Sequence, residues 1–166
     1  MKKLLLSLLL SAQAFAVYSV GDKPGNTCWK DMNDATVCLD DNAGKVRVLL
    51  FNAGWCGPCN SEFSQLASRT RKYAGKNVVF ISLSAEGWTG GSSPNQPFLH
   101  EWAAKHSLDK ATATFIVAAS PRNAGRDYFT SPSIPNVAII DSSGALTYKA
   151  IAPSLTKLTY EVDKAK

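Results

Sequence analysis

The stretch FNAGWCGPCNSEF, from Phe51 to Phe63, joins an apolar run to a helix-like segment through two cysteines that flank Gly-Pro. The run VRVLLFNA, which starts at Val46, is continuous and apolar, as in strands that are buried on both faces. A helix is expected from about Cys56 to Tyr73. The stretch therefore predicts a buried strand that turns directly into a helix, with both cysteines in the first helical turn.

The rest of the chain alternates between strand and helix patterns. Strands are predicted for NVVFISLS (77–84) and ATFIVAA (113–119), with a Gly/Ser/Pro-rich loop at 85–97 and a helix in PFLHEWAAKHSL between them. The stretch NVAIIDSSGALTYKAIA predicts two strands joined by a turn, SLTKLTYEVDKAK a last helix, and TCWKDMNDATVCLD a small N-terminal β-hairpin. This order predicts an α/β fold with a mixed central sheet, helices on both faces and an antiparallel edge.

The first 16 residues, MKKLLLSLLLSAQAFA, have the features of a secretory signal peptide. Two lysines precede an apolar run of 12 residues, and Ala14-Phe15-Ala16 has the small-x-small pattern of a signal-peptide cleavage site. A membrane-spanning helix would need about 20 apolar residues, so a retained anchor is the weaker alternative. We expect cleavage after Ala16, one domain from 17 to 166, and a location in the periplasm or cell envelope, or outside the cell, without stable membrane insertion.

The charge pattern bears on possible partners. Loss of Lys2 and Lys3 with the signal peptide lowers the formal charge from +5 to +3, and the remaining charges are scattered. The one short basic run, RTRK at 69–72, is typical of a solvated helix face. Nucleic-acid binding is therefore not expected.

The four cysteines, Cys28, Cys38, Cys56 and Cys59, all lie in the part of the chain that is predicted to be exported. Disulfides form and persist outside the cytoplasm. An even count favours two pairs, with three possible connectivities. A zinc site would need a second close pair or histidines at short spacing. His100 and His106 are six residues apart, about 240° around a helix, and are predicted to be ordinary surface residues. We predict no metal and no cofactor.

A redox function for Cys56 and Cys59 has a physical basis. Unpaired N–H groups and the dipole at a helix N-terminus stabilise a thiolate, which lowers a cysteine pKa from about 8.5 towards 7 or below. Pro58 is tolerated in the first turn because it needs no helical hydrogen bond there. Cys59 lies one turn further on, on the face of Phe63. We predict a solvent-facing Cys56 nucleophile and a buried, resolving Cys59; a purely structural disulfide is less favoured, since so short a loop removes little unfolded-state entropy.

The motifs WCGPC (55–59) and SIPNVAIIDSSGAL (133–146) resemble those of thioredoxin-like proteins, and the chain is similar to the exported TlpA/ResA type of thiol–disulfide oxidoreductase. The resemblance implies a cis peptide bond before Pro135, against the two cysteines, where neighbouring backbone pairs with an extended substrate segment. It also implies a substrate surface, which comprises Trp55, Gly57, Pro58 and Ile134.

The resemblance further implies the direction of electron flow. Members of the TlpA/ResA type reduce protein disulfides, receive electrons from a membrane electron donor and serve cytochrome c maturation or thiol repair. A disulfide oxidase or isomerase is the alternative within the same chemistry. A different class, a non-catalytic binding module or chaperone that uses the groove of the fold, also stays open.

Glu62 is a candidate proton shuttle. It follows Cys59 by one helical turn, and the ResA type carries an acid at this position that takes part in proton transfer. Partial burial would raise the pKa of such a carboxyl into the range useful for exchange; the alternative is an acid placed in the first turn by the helix dipole. The chain departs from the family elsewhere, with Leu50 at the position of the buried aspartate of thioredoxin and Asn52 where many TlpA-type chains have tryptophan.

Two further features are interpreted from their positions. If residues whose numbers sum to 66 face each other in the N-terminal hairpin, Cys28 opposes Cys38, close enough for a disulfide. A structural staple is favoured over a second redox couple. Trp88 lies in a loop beyond a strand parallel to the one before Cys56, so it is a weak candidate for the substrate surface; packing against the core is the alternative.

Overall fold

The computed structural model describes residues 17–131 and 133–166, so the predicted signal peptide lies outside the described residues. Within these two ranges no helix has the length and apolar character needed to cross a bilayer. The regular elements are β1 (Cys28–Asp31), β2 (Thr36–Cys38), β3 (Val46–Asn52), α1 (Gly57–Arg69), β4 (Val78–Ser84), α2 (Gln96–Lys105), β5 (Thr114–Ala119), β6 (Asn136–Ile140), β7 (Leu146–Ile151) and α3 (Leu155–Lys164). Short 3-10 helices occupy Leu39–Asn42, Arg71–Tyr73 and Ala124–Asp127.

The strands form one mixed sheet in the order β2-β1-β5-β4-β3-β6-β7. The central strands β3, β4 and β5 are parallel, whereas β6 pairs antiparallel with both β3 and β7. The mixed sheet with an antiparallel edge agrees with the sequence prediction. The carboxyl ends of the three parallel strands lie at one edge of the sheet, and the Cys-Gly-Pro-Cys turn follows β3 at that edge.

The two faces of the sheet are covered in different ways. Alternate residues of β3, such as Val48 and Leu50, pack in one apolar cluster with side chains of all three α-helices. Both β-α-β connections step across the sheet in the same direction, so right-handed crossovers place α1 and α2 on the same face. Leu49 and Phe51 point to the opposite face, where the cover comes from two short 3-10 helices, from the segment at Tyr128 and from other loop residues. The prediction of helices on both faces is therefore corrected, because the three α-helices all pack on one face and, among the described residues, only 3-10 helices and loops cover the other.

The N-terminal hairpin has the register expected from its numbering. Cys28 lies opposite Cys38, and Lys30 lies opposite Thr36. A disulfide joins the two cysteines across the pair. The hairpin is also part of the main sheet, because β1 pairs with the end of β5.

His106 differs from its predicted surface position. Its side chain is buried, with 4% exposure, and its ring contacts Trp102 at a centroid distance of 4.3 Å and Phe63 at 5.7 Å. The helical spacing used in the prediction does not apply, because α2 ends at Lys105 and the chain turns at Ser107. Burial, reinforced by the positive charge of Lys105, lowers the pKa of His106 to about 4, so the imidazole is neutral at neutral pH. His100 is exposed, as predicted.

Candidate redox site

Cys56 and Cys59 lie at the start of α1 and are joined by a disulfide, with their Cα atoms 5.2 Å apart. Cys56 is the N-cap residue, and its Sγ accepts a hydrogen bond from the backbone N–H of Cys59 at 3.1 Å. Sulfur therefore occupies the position where a helix N-terminus stabilises negative charge. The sequence prediction of a strand that turns directly into a helix with both cysteines in its first turn is confirmed.

The exposure of Cys56 corrects the prediction that it faces solvent. In the disulfide form Cys56 is only 3% exposed and Cys59 is fully buried. Both cysteines belong to the apolar cluster beneath the helices, together with Ala53. Cys56 therefore offers little surface to an attacking thiol, which needs to approach along a groove in the surface.

Such a groove lies beside the cysteine turn and is called here the proline groove. It has a volume of about 400 Å³ and is lined by Pro58 and Glu62 of α1, by Pro135, and by the segment 152–156 that leads into α3. The peptide bond between Ile134 and Pro135 is cis in the structure. Ile134 is partly buried and packs against both apolar clusters. The fold thus brings together candidate residues that are far apart in sequence.

Glu62 projects from α1 into the proline groove. Its Oε1 atom is buried and has no hydrogen-bond partner among the described residues. Burial raises the pKa of Glu62 to about 7, because removal from water disfavours the carboxylate. The carboxyl group can therefore both accept and release a proton near neutral pH.

Trp55 precedes Cys56 and is half exposed, with 51% of its surface accessible. Its Nε1–H donates to Oε2 of Glu86 at 2.7 Å, and the backbone N–H of Gly91 donates to the same oxygen at 2.8 Å. Arg122 pairs with the other oxygen at 2.9 Å. These contacts hold the pKa of Glu86 below its usual range; the hydrogen bond from the Gly91 N–H has the largest effect, and the hydrogen bond from Trp55 and the charge of Arg122 add to it. Glu86 therefore holds the indole of Trp55 in place.

Sequence reasoning did not identify Glu86. It lies in the loop after β4, within a stretch whose composition indicated only an irregular loop. The backbone of this loop also binds the turn before the cysteines, since Gly54 N–H donates to the carbonyl of Glu86 and Trp55 N–H to that of Gly87. No spacing in the sequence links residues 54–55 to residues 86–87, so this contact follows only from the parallel pairing of β3 with β4.

Asn52 occupies the last position of β3, below the cysteine turn, and is fully buried. Its Nδ2 group donates to the carbonyl of Leu50 and to Oγ of Ser82, both at 3.0 Å. Its Oδ1 atom accepts a hydrogen bond from Oγ of Ser84 at 2.7 Å. A neutral polar network therefore lies where the sequence had indicated only a departure from the family pattern.

Trp88 packs against α2. Its ring centroid lies 5.1 Å from that of Phe98 and 5.8 Å from that of Trp102, and its Nε1–H donates to Glu101 at 2.7 Å. The ammonium group of Lys105 lies 4.5 Å from the ring centroid. These contacts favour packing over a place on the substrate surface. Gly57 lies at the first helical position, where a Cβ atom would meet open space.

Comparisons with known proteins agree with this geometry. A protein-family model described as Redoxin matches residues 19–166. The thiol–disulfide oxidoreductase ResA of Oceanobacillus iheyensis is 24% identical over 156 residues, which cover 86% of this chain and 75% of that protein. A provisionally named thiol:disulfide interchange protein DsbE from Chlorobium tepidum has a TM-score of 0.70 at 22% identity, with 90% of this chain and 99% of that chain covered.

A second solved structure is a secreted disulfide oxidoreductase of Mycobacterium tuberculosis that is described as homologous to E. coli DsbE. Its TM-score is 0.63 at 17% identity, and the match covers 83% of this chain and 95% of that chain. At these identities the structural matches establish a shared fold. The thioredoxin-like fold predicted from the sequence is confirmed.

Proposed function

We propose that this chain, which belongs to the Redoxin family and is a thioredoxin-like thiol–disulfide oxidoreductase, reduces disulfide bonds in exported proteins through Cys56 and Cys59. The observation that carries the proposal is the Cys56–Cys59 disulfide at the N-terminus of α1, where Sγ of Cys56 accepts the Cys59 N–H at 3.1 Å. Pro135 and Glu62 border the same turn. This arrangement supplies a stabilised thiolate, a second thiol within bonding distance and a titrating carboxyl group.

The reaction consists of two thiol–disulfide exchanges. In the reduced protein the Cys56 thiolate attacks one sulfur of a substrate disulfide, the substrate S–S bond breaks, and the departing substrate thiolate takes up a proton. Cys59 then loses its proton and attacks Sγ of Cys56, which releases the second substrate thiol. Two electrons pass to the substrate, and the protein is left with the Cys56–Cys59 disulfide.

The substrate surface in this proposal is the border of the proline groove. Pro58 and Pro135 line the groove. Gly57 and Ile134 are their neighbours in sequence, and Trp55 precedes Cys56. An extended substrate segment would pair with the backbone before Pro135, which is the arrangement that the family resemblance implies.

Glu62 is proposed as the group that exchanges protons with the cysteine pair. With its pKa raised to about 7, Glu62 gains the ability to accept a proton as the pH rises through neutrality. A general base in this position accelerates formation of the Cys59 thiolate, which is needed for resolution. The groove geometry and the acid that the family resemblance implies at this position support this role.

We predict that Glu62→Gln lowers the rate of disulfide exchange by at least about tenfold at pH 7 to 8 and removes an inflection near pH 7 from the pH–rate profile. The measurement is stopped-flow reduction of a fluorescent disulfide peptide between about pH 5 and 9, on either side of that pKa. Gln65→Ala is the matched control, because Gln65 lines the same groove and does not titrate. An inflection that persists in Glu62→Gln would assign Glu62 to a structural position only.

The same substitution changes stability in a direction that can be worked out. Because the pKa of Glu62 is about 7 in the folded protein and 4.5 in the reference state, the folded chain binds more protons between these values. The contribution of protonated Glu62 to the free energy of unfolding is therefore fully present below pH 4.5 and is lost as the pH rises through 7. Urea unfolding should show Glu62→Gln gaining stability relative to the natural chain over that window.

The reducing direction and the cellular setting complete the proposal. Residues 1–16 are proposed to export the chain to the periplasm or cell envelope, where a membrane electron donor would return Cys56–Cys59 to the dithiol state. Cytochrome c maturation and thiol repair are the processes that the TlpA/ResA resemblance favours. The Gly-Pro pair between the cysteines, which is the dipeptide of thioredoxin, supports reduction over oxidation.

The reduction potential of Cys56–Cys59 tests the direction. We expect a value close to the roughly −270 mV of thioredoxin and far from the roughly −120 mV of the oxidant DsbA. Equilibration of the mature chain with dithiol buffers, followed by mass spectrometry of alkylated peptides, gives the potential. The Cys28–Cys38 disulfide is the internal comparison, since a structural staple stays oxidised where Cys56–Cys59 is reduced. A potential near that of DsbA would contradict the proposed reductase and indicate an oxidase.

A further inference from the structure

A second groove lies between the carboxyl-terminal half of α1 and the segment that follows α2, and it is called here the basic groove. It has a volume of about 510 Å³, within the range of small-molecule sites. Three cationic side chains line it, those of Arg71, Lys105 and Lys110. Four residues with hydroxyl groups also line it, namely Ser64 and Ser68 from α1 and Ser107 and Thr112 from the segment after α2. No aspartate or glutamate among the described residues lines the groove.

The three cations have no acidic partner among the described residues. Elsewhere on the helical face, Lys72 pairs with Asp163 and Lys157 pairs with Glu161. Lys105 instead lies over the ring of Trp88 at 4.5 Å. A role in balancing the helix dipole accounts for Lys105, which is in the last turn of α2, but not for Lys110, which lies beyond the helix. The positive charge of the groove is therefore uncompensated.

We propose that the basic groove binds a phosphate-bearing ligand. The hydroxyls of Ser64 and Ser68 already donate to the carbonyls of Ser61 and Gln65, which leaves the three cations and the hydroxyls of Ser107 and Thr112 as donors. A phosphate group offers such a set three acceptor oxygens with a charge of about −1.5 to −2. A single carboxylate has two oxygens and one charge, so it would leave part of this donor set unused. The floor of the groove includes the buried ring of His106 and two alanines, which give it a fixed shape.

The basic groove is separate from the redox site and does not depend on the proposed function. The proline groove and the basic groove share no lining residue. Along α1, Ser68 lies nine residues beyond Cys59, or about 13 Å along the helix axis. The phosphate group could belong to a free anion or to the headgroup of an anionic lipid at a membrane surface. Both sources have the same chemistry, so the experiment needs one arm for each.

The test uses pyrophosphate as the free ligand and phosphatidylglycerol vesicles as the lipid surface, with phosphatidylcholine vesicles as the neutral reference. Binding of pyrophosphate is measured by calorimetry at low ionic strength, and binding to vesicles is measured by sedimentation. The variant Lys105→Gln/Lys110→Gln removes two groove charges, and Lys23→Gln/Lys45→Gln removes two charges that do not line the groove. The far-UV circular dichroism spectrum should be unchanged in both variants, which verifies that they fold.

We expect at least one probe to bind the natural chain and to bind Lys105→Gln/Lys110→Gln at least about tenfold more weakly, since charge-assisted hydrogen bonds to phosphate are lost. Lys23→Gln/Lys45→Gln should retain the natural affinity within about threefold, because only screened, distant charges change. Binding of pyrophosphate identifies a free anion, and binding of phosphatidylglycerol vesicles alone identifies a headgroup. Equal losses of affinity in the two double variants would attribute binding to net charge and would overturn the proposal. The proposal would also be overturned if neither probe bound the natural chain.

Discussion

Replacing Cys56 with serine is expected to lower the rate of insulin disulfide reduction by about a thousandfold or more, because the hydroxyl cannot replace the thiolate as nucleophile. The position of Cys56 gives the physical reason. Its Sγ is the one that receives the Cys59 N–H at the N-terminus of α1, so negative charge is stabilised on Cys56. The measurement is turbidity or fluorescence of labelled insulin with dithiothreitol as the electron source.

Cys59→Ser separates the two steps of the proposed reaction. Attack by Cys56 is retained and resolution is lost, so this variant should accumulate a mixed disulfide with insulin that is visible on a non-reducing gel. Cys28→Ser/Cys38→Ser is the control, because it removes the other disulfide. Its reduction rate should stay within about threefold of that of the natural chain, since a structural staple takes no part in the exchange.

The outcome for Cys56→Ser also separates the enzyme from its main rival. A binding module or chaperone that uses the proline groove would suppress aggregation of an unfolded protein equally well with or without the Cys56 sulfur. If Cys56→Ser retained the rate of insulin reduction, Cys56 would not be the nucleophile and the proposed mechanism would fail. If it lost reduction but retained aggregation suppression, the groove would have both activities, and only the redox step would need the sulfur.

Local patterns are sufficient to predict the elements that position the redox pair. The apolar run before Cys56 and the two cysteines one helical turn apart depend on neighbours in sequence, and the structure has the strand, turn and helix in those places. The hairpin register follows equally from local numbering, with Cys28 opposite Cys38. Such features are set by backbone geometry within a few residues, so a single sequence contains the information.

Features that depend on distant contacts cannot be predicted in this way. The burial of His106 depends on the end of α2 and on the rings of Phe63 and Trp102. The hydrogen bond from Trp55 to Glu86 joins residues that are 31 positions apart. For Glu62 the sequence leaves two interpretations open, a proton shuttle or an acid favoured by the helix dipole, because it does not show how deeply the side chain is buried. The structure supplies that burial, which raises the pKa of Glu62 to about 7.

The turn before Cys56 shows how such a distant contact positions the redox site. Gly54 lies against the loop after β4, and a Cβ atom added there would be 2.6 Å from the carbonyl oxygen of Gly87 and 2.6 Å from Cε2 of Phe98. Carbon atoms do not approach other heavy atoms so closely without displacement. The absence of a Cβ atom at Gly54 therefore allows the turn before Cys56 to pack against the loop after β4. The two segments are joined by a hydrogen bond from the Gly54 N–H to the Glu86 carbonyl.

Gly54→Ala is accordingly expected to destabilise the protein by about 2–3 kcal/mol, as overpacking does in a well-packed interior. The backbone of Gly87 has little freedom to retreat, because its N–H donates to the carbonyl of Ser92 and its own carbonyl accepts from Trp55. Urea unfolding of the oxidised protein measures the change. Gly125→Ala is the matched control, since a Cβ atom there would meet only Phe51 at 3.8 Å, an ordinary contact.

The same substitution should also slow disulfide reduction, for a reason distinct from the loss of stability. Displacement of the loop after β4 moves Glu86, and with it the hydrogen bond that holds the Trp55 indole beside Cys56. Assayed at a temperature where Gly54→Ala remains folded, the variant should show a higher KM for insulin and an altered tryptophan emission spectrum. Unchanged stability would mean that the contact with Gly87 is not tight. A loss of stability with an unchanged KM would mean that the loop supports the fold without positioning Trp55 for substrate.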